Sequence, residues 1–480
     1  TATIKRSNGF AGTVTFTSSG APSGVTIGAN TAGATDTTAT ISIAATSSVA
    51  AANYPVTITA TASGVPSQTT RLNVQVTPAP GGSSNVALSF ASCDPSGVPI
   101  WFAAQSGTGA WTRITPGPNN TFTFAVGATG GVALVRRNGA DFGTSVFYGS
   151  RGDITALALG SMCAGLNSST GTQQLSGTLT GIATPLATVS VGGAFAELPI
   201  PQGLSFTLNE VPPGRRDLIA TATNVNASGI RNIARMILRR DVTYAGSIPV
   251  LNFSGPEFFV PVTGFITTNN LAGDQTSATM SFVTVNGSSA PYLERPGGAI
   301  GVGGVGVPDS LLRPGDLHAI QVVAAPANGT SARVAIVLHH SYVADTVTFG
   351  PALNPPQVTS AGTSPYLRLR AQLASQAAYS GAANAEFSQN ANSVGVTTTA
   401  GYFGNTPVNW SLDIPDLTNA GYDPAWGLRS GSPVDWEVAA IGGSVLPLFG
   451  ATPVDGARTL GAVVSSTSSV ASQLRRLKRW

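Results

Sequence analysis

Between Asn409 and Glu437 the chain gathers the residues best suited to chemistry. Trp410, Tyr422, Trp426 and Trp436 are interleaved with Asp413, Asp416, Asp423, Asp435 and Glu437, across Asn409-Trp-Ser-Leu-Asp-Ile-Pro-Asp416, Gly421-Tyr-Asp-Pro-Ala-Trp-Gly427 and Val434-Asp-Trp-Glu437. Rings stack on sugars and carboxylates hydrogen-bond or protonate them, so the set suits glycan binding or glycoside hydrolysis. Asp435 and Glu437, two apart on an apparent strand, share a face about 7 Å apart. Asp413, Asp416 and Asp423 are equally suited to hold a Ca²⁺ ion among loop oxygens. The plain alternative sends Trp410 and Trp436 into a core while the acids face water or pair with arginines.

Other constellations are thinner. Histidine occurs only at 318, 339 and 340. His339 and His340 are adjacent in the apparent strand Val334-Ala-Ile-Val-Leu-His-His, so they point to opposite faces and do not chelate one zinc. Pro308-Asp-Ser-Leu-Leu with Gly315-Asp-Leu-His resembles the Gly-Asp-Ser-Leu lipases. Pro308 replaces the family's glycine, however, and Ser310 and His318 are too close in sequence for a strand-end triad, so an ordinary loop is expected. Arg151-Gly-Asp153 reads as a turn. Sequons at Asn252, Asn286 and Asn328 mark exposed loops.

Composition narrows the class. Charged residues make up 9% of the chain, far below the usual quarter, while apolar residues make up 42% and alternate, which excludes a disordered polymer. Lys5 and Lys478 are the only lysines, so P-loop and Schiff-base chemistry are excluded. The net charge of +3 is too small and scattered for a nucleic-acid partner. No apolar run is long enough for a transmembrane helix. Cys93 and Cys163 bracket one segment, as a single disulfide or as two buried thiols. A hydroxyl-rich, charge-poor surface with one such bridge points outside the cell.

These residues need a scaffold, and the scaffold is written in period two. In Asn53–Val76, Val56, Ile58 and Ala60 share one face; Leu72, Val74 and Val76 resume it after Gly64-Val-Pro-Ser. That is a hairpin with one buried face. Similar runs recur to the end, as in Tyr366-Leu-Arg-Leu-Arg-Ala-Gln-Leu, so the expected fold is all-β: tandem β-sandwich domains, Ig-like and related, with very little helix. Arg235-Met-Ile-Leu-Arg-Arg fits helix or strand, and its neighbours favour strand.

Phe10-Ala-Gly-Thr-Val-Thr, Gly20-Ala-Pro-Ser-Gly-Val-Thr and Asn53-Tyr-Pro-Val-Thr-Ile-Thr-Ala resemble the immunoglobulin-like repeats of secreted bacterial surface proteins. Such a repeat begins with one further strand, which the resemblance implies is missing here. The chain is thus trimmed, or its groove is filled by another chain. Gly177-Thr-Leu-Thr-Gly, Ala187-Thr-Val-Ser-Val-Gly-Gly, Leu204-Ser-Phe-Thr-Leu and Val211-Pro-Pro-Gly resemble the prealbumin-like sandwich of carboxypeptidase regulatory domains. The expected organisation is an Ig-like sandwich at 1–77, a linker at 78–85, and a small disulfide-closed β domain at 86–166. A prealbumin-like sandwich follows at 171–252, then a large sandwich at 253–480, or two with a break near 355. Their sequences do not repeat one another, so a string of different modules is expected.

The functional expectation is an extracellular, cell-surface structural protein of a bacterium, not an enzyme, that associates with itself by strand donation into the incomplete first sandwich. A glycan-binding adhesin using the C-terminal cluster is the alternative, and a secreted glycoside hydrolase ranks third. No cofactor is expected beyond the calcium candidate.

Overall fold

The computed structural model describes the chain apart from residues 1, 8, 29–30, 46–48, 50–51, 77–83, 92, 94–96, 158–171, 201–203, 228–230, 287–288, 298–300, 327–328, 406, 444–453 and 468–480. At 52–53, 75, 138, 289–297 and 301–303 it describes the backbone alone. Two compact units result, Thr1–Ser84 and Asn85–Trp480. Both are built of strands, with one five-residue α-helix, α1 (Arg151–Thr155), among the described residues.

The first unit contains β1 (Ala2–Thr3), β2 (Val14–Ser19), β3 (Val25–Ile27), β4 (Thr31–Ala32), β5 (Thr38–Ala39), β6 (Ile43–Ala45), β7 (Ala52–Ala62) and β8 (Val65–Val76). The expected hairpin is β7–β8. It turns at Gly64, whose φ of +78° suits a residue without Cβ. One sheet runs β4-β2-β7-β8; β1 pairs with β5, and β3 with β6. Val14, Phe16, Ala39, Val56, Ile58, Val74 and Val76 form the core.

The second unit begins with β9 (Ser84–Ser89), β10 (Trp101–Ser106), β11 (Thr112–Arg113), β12 (Thr121–Val126), β13 (Thr129–Asn138) and β14 (Asp141–Ser150). Next come β15 (Gln173–Thr180), β16 (Leu186–Val191), β17 (Ala194–Pro199), β18 (Ser205–Val211), β19 (Arg216–Val225), β20 (Arg231–Val242), β21 (Ser247–Asn252) and β22 (Phe258–Phe259). Then follow β23 (Val262–Asn269), β24 (Gln275–Val283), β25 (Ser289–Gly297), β26 (Gly301–Gly306), β27 (Leu317–Ala325), β28 (Ser331–His339) and β29 (Asp345–Thr348). The last group is β30 (Gln357–Gly362), β31 (Arg368–Ala374), β32 (Ala382–Gln389), β33 (Asn392–Thr399), β34 (Asn409–Asp413), β35 (Asp435–Gly443) and β36 (Arg458–Ser465). Arg235–Arg240 lies inside β20.

One connectivity recurs through these groups. Leaving aside the β3–β6 pair of the first unit, β22 on the edge of β20, and β21, β29 and β30, each group has six strands: the first and fourth pair in a small sheet, and the second, third, fifth and sixth form a larger one in the order third-second-fifth-sixth. The larger sheets are β4-β2-β7-β8, β11-β10-β13-β14, β17-β16-β19-β20, β25-β24-β27-β28 and β33-β32-β35-β36; the small-sheet pairs are β1-β5, β12-β9, β18-β15, β26-β23 and β31-β34. Among the described residues five modules therefore share one six-strand connectivity, whereas different modules were expected. Modules 3 and 4 add a seventh strand, β21 or β29, parallel to the first. In module 5, β30 occupies the other edge of β31, antiparallel.

The larger sheets of modules 2, 5 and 4 fuse into twelve continuous strands, with β14 parallel to β33 and β36 antiparallel to β28. Segments 86–166 and 253–480, expected as separate domains, thus share one sheet. Residue 355 falls between β29 and β30. Module 2's sheet is covered on both faces: Phe102 and Ala104 join its own core, while Trp101 and Ala103 join that of module 5. A strand buried on both faces carries a continuous apolar run instead of alternation, hence Trp101-Phe-Ala-Ala.

Modules 3 and 4 are clamped by charge. Arg240 donates to Asp217 at 3.0 Å and to Asp316 at 2.5 Å, and both carboxylates are fully buried. Asp217 also accepts from the Asp241 backbone, and Asp316 from the backbones of Val285 and Arg313.

Candidate functional site

The structure disperses the C-terminal cluster. Trp410 is wholly buried in the module 5 core. Tyr422 and Trp426 lie in the stretch between β34 and β35, packed on Trp101 of module 2 at centroid distances of 5.4 and 6.3 Å. Trp101 Nε1 donates to the Ala420 carbonyl, and the Tyr422 hydroxyl bonds Thr144 at 2.7 Å. Burial pushes the Tyr422 phenol far above its usual range. Of the rings read as a sugar platform, Tyr422 and Trp426 join two modules, Trp410 fills a core, and Trp436 alone stays beside acids.

The calcium candidates do not converge. Asp413 pairs with Arg370 and accepts from Ser411. Asp416 accepts from the side chain and backbone of Thr418, which hold its carboxyl below the usual range, and it pairs with Arg368 at 3.3 Å. Asp423 caps the turn Pro424–Trp426 through Ala425 N–H. Among the described residues no group of three His, Cys, Asp or Glu side chains is arranged to hold a metal ion.

Asp435 and Glu437 are brought to a polar cavity of about 230 Å³, lined also by Trp436, Glu386, Ser388, Ser465 and Thr467. Glu386 on β32 stands directly across from Glu437 on β35, and Ser388 across from Asp435. Sequence reasoning missed Glu386, which lies fifty residues away and joins only through the β32–β35 pairing.

A second, larger opening lies in the first unit. It is a groove of about 530 Å³ lined by residues 3–7, by Phe10, Val14 and Phe16, and by the tip of the β7–β8 hairpin from Ala60 to Gln68. Two edges border it: among the described residues β1 pairs only with β5, and β8 only with β7. On the hairpin's inner face Val56, Ile58, Val74 and Val76 are buried, and Leu72 is the exception. Leu72 stands directly across from Val56 on the core side, yet Val56 is 0% exposed and Leu72 39%. Arg6 holds one rim in place, donating to the carbonyls of Gly12 (2.7 Å), Gly33 (2.5 Å) and Asp36 (3.1 Å), with its guanidinium over Phe10.

The remaining candidates have structural roles. His318 is buried; its Nε2 accepts from Val307 N–H, which leaves Nδ1–H to donate to the His340 carbonyl, and burial lowers its pKa. Ser310 sits in the 3₁₀ turn Asp309–Leu311. His339 bonds Asp345, which also pairs with Arg458. Arg151-Gly-Asp153 opens α1, where Asp153 and Ser150 form a capping box and Asp153 also accepts from Thr399. Cys93 is disulfide-bonded; Cys163 lies outside the described residues. Asn252 and Asn286 lie in described segments, and Asn328 lies outside them.

No family model matches the chain, and no curated protein matches it. Among solved structures it is similar to the Bacillus anthracis TIE protein, at 10% identity over 71% of this chain and 68% of that one, with a TM-score of 0.13. A score that low supports no statement about fold or function.

Proposed function

We propose that this is a non-enzymatic structural protein of a bacterial cell surface whose N-terminal sandwich accepts a β-strand from a second copy of the chain. The observation that carries this reading is the groove between two free strand edges. Unpaired N–H and C=O groups along a strand edge are a template for another strand, and a head-to-tail contact of that kind propagates instead of closing. The array of one repeated sandwich suits a mechanical role, and a bonded Cys93 suits an oxidising compartment. Among the described residues no helix is long and apolar enough to cross a membrane.

Sedimentation velocity and negative-stain microscopy of the full chain test it. Concentration-dependent association into linear particles is expected. A monomer at all concentrations up to about 100 µM, far weaker than an interface near 1 µM would allow, refutes it.

One observation favours a second reading, in which a surface glycan is bound: the acid-lined cavity at Asp435, Glu437 and Glu386. Its test is a glycan array with Glu437→Gln as control. Absence of signal, or a signal the substitution leaves unchanged, removes it. Hydrolysis ranks below both, since these carboxylates lack a shaped apolar cleft beside them.

A further inference from the structure

The repetition of one topology says what kind of segment the N-terminal groove fits. In modules 3 and 4 the first strand has a partner on each side: the fourth strand on one, and a parallel seventh strand on the other. That seventh strand pairs with the C-terminal half of the first. β21 matches Ser176–Thr180 of β15, and β29 matches Ile266–Asn269 of β23. Its aliphatic residues complete the core: Ile248 and Leu251 in module 3 and Val347 in module 4 are 4%, 0% and 2% exposed.

In module 1 the place corresponding to the seventh strand is where the groove lies. Its wall is residues 3–7, at and just beyond the C-terminal end of β1, and its floor is Val14 and Phe16 of the second strand with the tip of the fifth and sixth, from Ala60 to Gln68. Among the described residues no strand pairs with β1 there. β21 follows β20 after residues 243–246 and is six residues long, whereas residues 77–83 alone separate β8 from β9. Those residues read Thr-Pro-Ala-Pro-Gly-Gly-Ser, with none of the Ile, Val or Leu side chains by which β21 and β29 complete their cores. Module 5 supplies the contrast in direction. There the antiparallel β30 covers the N-terminal part of β31, Arg368–Gln372. The groove beside β1 lies at the other end, where the parallel partners sit.

We infer that the groove is the vacant seventh-strand place of module 1, and that it takes an extended segment of four to six residues, running parallel to β1, with aliphatic side chains turned onto Phe16, Ala60 and Ala62. This rests on reading the groove as strand-accepting, but not on the donor being a second copy.

The test uses the full chain and a fluorescein-labelled peptide copying residues 245–253, which contain β21. A control peptide has the same composition, with Ile248 and Leu251 exchanged for the polar residues beside them. Saturable binding of the first peptide is expected, weakened roughly tenfold or more by Ala62→Trp and by Gln68→Trp, the latter at an exposed position that folding tolerates. A benzophenone at the peptide's N-terminal end should crosslink near Thr3, and one at its C-terminal end near Ser7. No saturable binding, equal binding of the control peptide, equal binding to both variants, or crosslinks with the ends reversed would overturn the inference. Sedimentation of the same samples separates the two readings. A chain that binds the peptide yet stays monomeric removes self-association and keeps the strand place; a chain that associates yet binds no peptide does the opposite.

Discussion

Replacing Arg240 with Met should destabilise modules 3 and 4 by about 3–5 kcal/mol, the range for breaking a buried ion pair by removing one partner. The magnitude follows from what is left behind. The side chains of Asp217 and Asp316 are both 0% exposed, and both depend on the same guanidinium. Each keeps backbone N–H donors, Asp241 for one and Val285 and Arg313 for the other, so the loss falls short of two bare buried charges. Burial by itself would raise the Asp217 pKa; the Asp241 N–H and Arg240 outweigh it and hold the carboxyl below its usual value. The assay is urea unfolding followed by hydrogen exchange on β19, β20 and β27, because a multidomain chain need not unfold in one step. The triple variant Arg240→Met with Asp217→Asn and Asp316→Asn should recover most of the loss, since no unpaired charge then remains buried. A cost below about 1 kcal/mol for the single change, or a triple variant no more stable than the single, would refute the assignment of this network as the clamp.

Protonation of His318 should unfold its surroundings from the acid side. Its folded pKa is lowered by burial, so the neutral ring's contribution is complete above the ordinary value of about 6.5 and is lost as pH falls through that value towards the folded one. The melting temperature should therefore drop between about pH 7 and 5 and flatten in His318→Gln; an equally steep wild-type-like profile in the variant would exclude His318 as the cause. Tyr422→Phe removes the partner of the buried Thr144 hydroxyl and should cost about 1–3 kcal/mol in denaturant titration, where a neutral result would place that contact in solvent. Trp410→Ala, at a fully buried core site, should cost about 3–5 kcal/mol, and an exposed-site value below about 0.5 kcal/mol would contradict its burial.

The all-β class was legible because strands with one wet face alternate, and most of this chain does so. What period two does not encode is which strands become neighbours. Short strands such as Thr31–Ala32 and Thr112–Arg113 take third places in their sheets, yet two residues carry no periodicity to detect. The common topology therefore stayed hidden behind unlike sequences. The fused sheet was hidden for a related reason. Trp101–Ala104 and Val132–Val135 read as ordinary apolar runs, and only pairing shows that their second face is covered by module 5.

The candidate site divides along the same line. Asp435 and Glu437 were legible as a pair because an i, i+2 spacing on a strand fixes their face, while Glu386 entered through a pairing no local pattern announces. The aromatic residues misled in an informative way. Rings beside carboxylates serve a glycan platform and an inter-module joint equally well until their exposure is known, and here Trp101, Tyr422 and Trp426 pack edge-to-face or tilted against one another between modules 2 and 5. Such a joint needs rings with polar tips, since Trp101 N–H and Tyr422 O–H each find a buried acceptor or partner there.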